Sequence, residues 1–214
     1  MLASVKFVDA VDIAGKDTAD IGCGFGSFVL HMLEQQAKSV TGLEITEKDI
    51  STARKYIDGD RATFHVGSAI DIPLESCSLD TIVSWEVLEH IPKGTENQMF
   101  SEISRVLRSG GVFYLSTPHK SFWSCVADPA WLLIGHRHYS KQQLLFYAEK
   151  AGLKVDKLEV RGRFWVLAAS LNMYFSKWVL RRKPIFGKSF AKKDTREYLK
   201  PGFVTIFMKL HKYI

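Results

Sequence analysis

A loop with glycine at every second position, DIGCGFG at residues 20–26, constrains this chain more than any other feature. Residues 18–21 before it have the pattern of a short buried strand, and apolar residues at helical spacing follow it (Phe28, Val29, Met32 and Leu33). A strand, a glycine loop and a helix in this order are typical of ligand-binding units in open α/β sheets. The alternative is a tight turn that uses glycine and binds nothing.

The loop does not match the dinucleotide-binding fingerprint G-x-G-x-x-G, because Ser27 stands where the third glycine belongs. The carboxylate of Asp20, at the mouth of the loop, would also repel a pyrophosphate. A ligand with positive charge and no phosphate removes this conflict. S-adenosylmethionine, with its sulfonium and ammonium groups, is such a ligand.

Glu44 strengthens this interpretation. It ends the second predicted strand, where a carboxylate can accept hydrogen bonds from both hydroxyls of a ribose. Taken alone, a glutamate at a strand end is a solvated loop residue more often than a ligand contact. One helix after this glycine loop, it indicates a nucleoside site.

The rest of the chain alternates short apolar runs with amphipathic stretches, which predicts a parallel sheet covered by helices on both faces. The last two strands lack a helix-length crossover between them, so they are expected to form an antiparallel hairpin that carries a long insertion at residues 162–202. The fold class is therefore α/β: one Rossmann-like, doubly wound domain over residues 1–214, with seven mostly parallel strands, the last antiparallel. The predicted strands are residues 18–21, 39–44, 62–66, 81–84, 112–116, 155–160 and 204–210.

Charge is distributed unevenly along the chain. Residues 161–193 hold nine Lys or Arg and no Asp or Glu, so a net charge of +6 leaves −3 for the remainder. This segment predicts a local anionic partner. Cys23, Cys77 and Cys125 lie far apart, which argues against a disulfide framework and favours a reducing compartment. No signal peptide is expected from the first 17 residues, and the predicted location is the cytoplasm, with membrane association as an alternative.

Five motifs in register give the chain a resemblance to the class I S-adenosylmethionine-dependent methyltransferases over about residues 5–160. They are DIGCGFG, LEIT, FHVGSA, LDTIVSWEVLEHI and RVLRSGGVFYLSTP. The chain departs from the family at Ser68, where relatives usually carry an acid that accepts a hydrogen bond from the adenine amino group. The resemblance implies that S-adenosylmethionine is the cofactor and that its site comprises Asp20, Gly22, Cys23, Gly24, Gly26, Glu44, Ile45, Ser68, Ala69 and Trp85.

The segment WEVLEH after the fourth strand offers two carboxylates and an imidazole beside the expected methyl group. If it is helical, Glu86, Glu89 and His90 share one face and could bind a divalent ion such as Mg²⁺. The triplet resembles two metal-dependent branches, the ubiquinone-pathway O-methyltransferases and the small-RNA 3′-end 2′-O-methyltransferases. The second branch has a further histidine ligand, which His136 matches in position. The alternatives are a catalytic role of His90 and Glu89 without metal, and a purely structural role.

Two segments are expected to wall the acceptor site. The lid segment, residues 119–139, is rich in large apolar groups, with a small satellite core as the alternative explanation. His119 within it could face the acceptor. Residues 164–183 combine an aromatic helix with terminal basic residues, which suits peripheral contact with a membrane. A helix packed on its own domain, or a dimer contact, is the alternative, and nucleic acid is not the predicted partner.

The predicted function is S-adenosylmethionine-dependent O-methylation of a small or lipid-like hydroxyl acceptor. One alternative is a metal-dependent 2′-O-methyltransferase that acts on an RNA end, which requires His136 to join the metal site. Another is a scaffold protein that binds the cofactor without turnover. The oligomeric state is left open.

Overall fold

The computed structural model describes residues 2–126, 128, 135–183 and 193–213. Within these residues, seven strands form one sheet in the order β3-β2-β1-β4-β5-β7-β6. The strands are β1 (Asp17–Ile21), β2 (Ser39–Glu44), β3 (Ala62–Val66), β4 (Leu79–Trp85), β5 (Leu107–Pro118), β6 (Leu153–Arg161) and β7 (Thr205–Lys212).

The strand directions confirm the predicted fold class. β1 to β5 pair in parallel, whereas β7 lies antiparallel between β5 and β6. The last two strands therefore form the expected hairpin, and the insertion leaves the sheet between them. All carboxyl ends of the parallel strands lie along one edge, which is where such sheets bind ligands.

Helices cover both faces of the sheet. They are α1 (Leu2–Val5), α2 (Ser27–Glu34), α3 (Glu47–Tyr56), α4 (Glu96–Val106), α5 (Phe122–Val126), α6 (Lys141–Lys150) and α7 (Phe164–Tyr174). Thr46 is the N-cap of α3, since its side chain accepts a hydrogen bond from the amide of Asp49. Ser140 and Gln143 form a capping box at the start of α6. No helix among the described residues has the length and apolar character needed to cross a bilayer.

Alternate side chains of the central strands point into two separate cores. Ile82 and Phe113 pack with α4 and α6 on one face, while Val83 and Tyr114 pack with α1, α2 and α3 on the other. This two-residue alternation, with both faces buried, requires strands that are apolar on both sides. The central strands are therefore held firmly, and they position the loops at their carboxyl ends.

Two local features go beyond what the sequence pattern indicates. Ser109-Gly-Gly lies inside β5, which begins at Leu107 and whose pairing with β4 jumps from Leu107 to Val112. The chain bends within the strand there, with Gly110 at a φ of 73°. Residues 86–90 form a turn rather than a helix. Side-chain hydrogen bonds from Ser116 and Thr117 of β5 hold this turn, instead of the backbone hydrogen bonds of a helix.

Candidate cofactor and acceptor site

A cavity of about 340 Å³ opens at the carboxyl ends of β1, β2 and β4. Its volume lies within the range of small-molecule and cofactor sites. Most of its lining is apolar, and Glu44, Ser68, Glu86 and His90 supply polar side chains. A cavity with this position and lining suits a ligand that has an apolar ring and a few polar groups.

The glycine loop forms one wall of this cavity in a conformation that side chains disfavour. Gly22 has a φ of 80°, and a Cβ atom built on it would lie 2.3 Å from Cγ2 of Val87. Gly26 shares the left-handed conformation, and a Cβ there would lie 2.4 Å from Cδ1 of Ile57. The glycines thus allow the loop to approach the turn after β4 and the helix α3 at the same time.

The Glu44 carboxylate is fixed at the cavity by two backbone amides. Its Oε2 accepts a hydrogen bond from the amide of Gly24 at 3.0 Å, and its Oε1 accepts one from the amide of Ile45 at 2.7 Å. Each oxygen retains a second lone pair that can accept a hydroxyl hydrogen of a ligand. Ile45 leaves 69% of its surface exposed beside it, so an apolar ring could cover that side chain.

Asp20 lies buried behind the glycine loop, with only 2% of its surface exposed. Burial, and secondly the charge of Glu44, raise the pKa of this carboxyl to about 7. A positive charge bound nearby would favour the ionised form and oppose both effects. The electrostatics of the loop therefore suit a cationic ligand, as the sequence predicted.

The turn after β4 holds two buried glutamates against β5. Glu86 adopts a φ of 55°, and its Oε1 accepts a hydrogen bond from the hydroxyl of Ser116 at 2.6 Å. Oε2 of Glu89 accepts one from the hydroxyl of Thr117 at 2.9 Å. Burial raises the pKa of Glu86, and burial together with the nearby Glu86 carboxylate raises that of Glu89 well above its usual range.

Two histidines, His90 and His136, lie close to Glu89, and a third, His138, lies beside His136. Nε2 of His136 lies 3.9 Å from Oε1 of Glu89, and the rings of His90 and His136 lie 5.1 Å apart. One ligand atom from each of Glu89, His90 and His136 falls within 4.8 Å of the others, and the same holds for Asp128, His136 and His138. Burial lowers the pKa of His90, and it lowers that of His138 to about 4, so both imidazoles are neutral at pH 7.

A second cavity, of about 90 Å³, lies beside the first, and Glu86 lines both. The lid segment contributes Ser124, Asp128, His136 and His138 to it, and the insertion contributes Val166, Leu167, Ser170, Tyr174 and Tyr198. The two segments expected at the acceptor side therefore meet at one cavity. Residues 129–134 of the lid segment, which include Trp131 and Leu132, lie outside the described residues.

Comparisons with known proteins agree with this geometry. A family model described as "Methyltransferase domain" matches residues 19–115. A relative from Mycolicibacterium smegmatis, named "Probable S-adenosylmethionine-dependent methyltransferase", is 32% identical over 143 residues, which are 67% of this chain and 54% of that protein. The chain belongs to the class I S-adenosylmethionine-dependent methyltransferase family. S-adenosylmethionine is the methyl donor of this family.

The chain is also similar to a second curated protein and to a solved structure. A ubiquinone biosynthesis O-methyltransferase from Aromatoleum aromaticum is 28% identical over 160 residues, which cover 68% of this chain and 67% of that protein. A solved S-adenosylmethionine-dependent methyltransferase from Mesorhizobium loti superposes with a TM-score of 0.73 at 19% identity, with coverage of 98% of this chain and 96% of that one. This last likeness shows the shared fold. The chain spans about half the length of the first relative.

The residues predicted to bind the methyl donor divide into two groups. Gly22, Glu44, Ile45, Ser68, Ala69 and Trp85 line the 340 Å³ cavity. Four others support it from behind or beside it: Asp20 is buried under the loop, Cys23 packs in the core, the Gly24 amide donates to Glu44, and Gly26 is the N-cap residue of α2. Sequence reasoning did not assign the apolar remainder of the lining, Ile21, Leu43, Gly67, Val87, Ile91 and Pro92.

The predicted metal ligands of this methyltransferase are only partly brought together. Glu89, His90 and His136 converge, whereas Glu86 belongs to neither of the clusters found among the described residues. Oε1 of Glu89 is buried and has no hydrogen-bond partner there. A buried carboxyl oxygen beside the imidazoles of His90 and His136 is a ligand set that fits a divalent cation. His119 lines neither cavity, and its Nδ1 lies 3.2 Å from the carbonyl oxygen of Phe203.

Proposed function

We propose that this chain transfers a methyl group from S-adenosylmethionine to a hydroxyl group of a small or lipid-like acceptor. The observation that carries the proposal is the shared position of Glu86, which lines both the donor cavity and the smaller cavity beside it. Methyl transfer is an in-line displacement, so its main requirement is that donor and acceptor are held in contact and aligned. Two adjoining cavities with a common wall meet that requirement.

An oxygen acceptor must also lose a proton, and the groups beside the shared wall can assist. The carboxyl group of Glu89 and the imidazoles of His90 and His136 lie close together there. Either a histidine accepts the proton directly, or the three residues hold a divalent ion. When bound, such an ion would lower the pKa of the acceptor hydroxyl. A bound cation would also offset the repulsion between the buried Glu89 and Glu86 carboxyl groups, which favours the ion.

Chelation separates these two forms of the proposal. If an ion is held, excess chelator should abolish turnover while the affinity for S-adenosylhomocysteine stays nearly unchanged, and Mg²⁺ or Mn²⁺ should restore it. The control is Glu75→Gln, an exposed glutamate outside both cavities, which should behave as the wild type. Full activity in excess chelator would exclude the ion and leave direct proton transfer to a side chain of the cluster.

Peripheral contact with a membrane is the second part of the proposal. Exposed aromatic rings connect the lid segment to the insertion, with Trp123 and Phe164 6.0 Å apart and each more than half exposed. A shallow depression is lined by four basic residues that follow α7 in the sequence: Lys177, Arg181, Arg182 and Lys183. Aromatic side chains with adjacent cations suit the headgroup region of an anionic membrane. Such contact would bring a lipid-like acceptor to the cavity of a cytoplasmic enzyme.

One face of α7 packs on the chain's own domain. Val166 and Leu167 are buried against Val204, so the alternative explanation of α7 is correct for one face. Leu171 within α7 and Phe175 directly after it remain exposed. The side chain of Trp178 lies outside the described residues.

An acceptor screen with labelled S-adenosylmethionine tests the function. The candidates are phenolic hydroxyl compounds, a lipid extract and short RNA with a free 3′ end. We expect incorporation into the phenolic or lipid fraction. Incorporation into RNA alone would favour the 2′-O alternative, which the position of His136 in the cluster keeps open. Binding of S-adenosylhomocysteine with no transfer to any class would favour the scaffold alternative.

A further inference from the structure

His136 is held by a carboxylate that no motif of the sequence singled out. Its Nδ1 lies 2.7 Å from Oδ2 of Asp128, and the two side chains are 15% and 14% exposed. Both residues belong to the lid segment. A separation of 2.7 Å is that of a charge-assisted hydrogen bond, with Nδ1–H as the donor and the carboxylate as the acceptor.

The same distance shows that Asp128 and Nδ1 of His136 do not share an ion. Two ligand atoms about 2.1 Å from one ion lie about 3.0 Å or more apart, because the angle between them is at least about 90°. The 2.7 Å pair is too close for that arrangement. The 3.9 Å between Nε2 of His136 and Oε1 of Glu89 does allow it.

The neutral form of an imidazole carries one N–H, so in that form of His136 the hydrogen bond to Asp128 determines which nitrogen keeps a free lone pair. With the proton on Nδ1, the lone pair is on Nε2, which is the nitrogen that faces Glu89. In known metal sites and catalytic dyads, a carboxylate behind a histidine has this role. His138 contacts the same carboxylate oxygen. Its Nε2 lies 3.4 Å from Oδ2 of Asp128, and its side chain is 3% exposed.

We infer that Asp128 is a positioning residue: it fixes the Nδ1–H tautomer of His136 and directs the Nε2 lone pair toward Glu89 and His90. The inference rests on the proposed function, because it concerns the same cluster. It adds that the lid segment completes the cluster. This segment carries both residues, and it brings His136 against the turn after β4.

The test uses the full chain with ¹⁵N-labelled histidine and a His136→Gln variant to assign the signals. We expect the wild type to show protonated Nδ1 and bare Nε2 at His136. In Asp128→Ala this preference should be lost, with both tautomers present. The matched control is Asp156→Ala, because Asp156 holds Nδ1 of His211 at the same 2.7 Å in a different part of the molecule. This variant should leave His136 unchanged.

Mn²⁺ affinity gives a second readout, measured by calorimetry with S-adenosylhomocysteine present. Loss of a carboxylate behind a metal-binding histidine typically weakens metal affinity about 10- to 100-fold, so we expect that loss in Asp128→Ala and Asp128→Asn. Unchanged affinity for S-adenosylhomocysteine in the variants will show that the fold is intact.

Either of two NMR results would overturn the inference: protonated Nε2 at His136 in the wild type, or the same tautomer in the wild type and in Asp128→Ala. A wild type that binds no Mn²⁺ would instead remove the metal from the proposed function, and the tautomer would still decide the role of Asp128. Normal Mn²⁺ binding by both Asp128 variants would keep the metal and refute the positioning role.

Discussion

The carboxylate of Glu44 accepts a hydrogen bond from the backbone amide of Gly24, at 3.0 Å, so the end of β2 and the loop after β1 are joined at the cavity. This contact couples the two sequence motifs that indicated a nucleoside site. It orients the carboxylate and stabilises the loop, because an amide that faces a cavity otherwise lacks a partner. A change at Glu44 should therefore affect ligand binding more than a lost surface charge would.

Glu44→Ala should weaken binding of S-adenosylhomocysteine. Each charge-assisted hydrogen bond contributes about 1.5–3 kcal/mol before water compensates, so we expect an affinity loss of about 10- to 100-fold. Glu47→Ala is the control, since it removes the same charge from the exposed first turn of α3. Calorimetry measures both variants. Equal affinities for wild type and Glu44→Ala would exclude the ribose contact.

Gly22→Ala should destabilise the fold more than Gly15→Ala does. Both glycines have positive φ, 80° and 71°, but a Cβ on Gly15 meets nothing within 4 Å whereas one on Gly22 meets Val87. The left-handed strain is about 1–2 kcal/mol at either site, and overpacking should add about 1–3 kcal/mol at Gly22. Urea unfolding measures the difference, and Val87→Ala should remove it. Equal losses at the two glycines would contradict the close approach.

Binding of S-adenosylmethionine should release protons near pH 7. The pKa of Asp20 is raised from 3.8 to about 7 in the folded protein, so its neutral form stabilises the fold at low pH and this contribution is lost as the pH rises through about 7. A cationic ligand favours the ionised form. About half of the molecules carry this proton at pH 7, so up to about half a proton should be released on binding.

Calorimetry in two buffers with different ionisation enthalpies counts these protons. Asp20→Asn should abolish the release that comes from this group. The same proton count in wild type and Asp20→Asn would show that Asp20 does not sense the charge of the ligand.

Replacement of Arg181, Arg182 and Lys183 by Ser should move the protein off anionic vesicles without a change in S-adenosylhomocysteine affinity. Each basic residue near an anionic surface contributes about 1 kcal/mol, and binding should weaken with salt. Replacement of the exposed Lys16, Lys48 and Lys55 by Ser is the charge-matched control. Trp123→Ser should weaken binding to anionic and neutral vesicles alike. Sedimentation measures this, and a wild type that stays in solution at low salt would refute membrane contact.

The sequence was most informative where local chemistry determines structure. The succession of strands and helices along the chain follows from alternating patterns, and the loop before Gly26 depends on residues a few positions apart. The turn at residues 86–90 was not predicted, because its glutamates bond to Ser116 and Thr117. These two residues lie in the neighbouring strand β5, about 30 positions further along the chain. Asp128 was missed for the same reason: its role depends on how the lid segment folds back, and no periodic pattern records that.

The central claim is that an oxygen atom receives the methyl group. The direct test is a reaction with S-adenosylmethionine labelled with ¹³C in its methyl group, run with the acceptor that the screen identifies. NMR of the product then identifies the methylated atom. The account predicts a methoxy carbon signal that is lost in Glu89→Gln and in His136→Gln. A labelled methyl group on carbon or nitrogen, or a methoxy product formed at the wild-type rate by both variants, would contradict it.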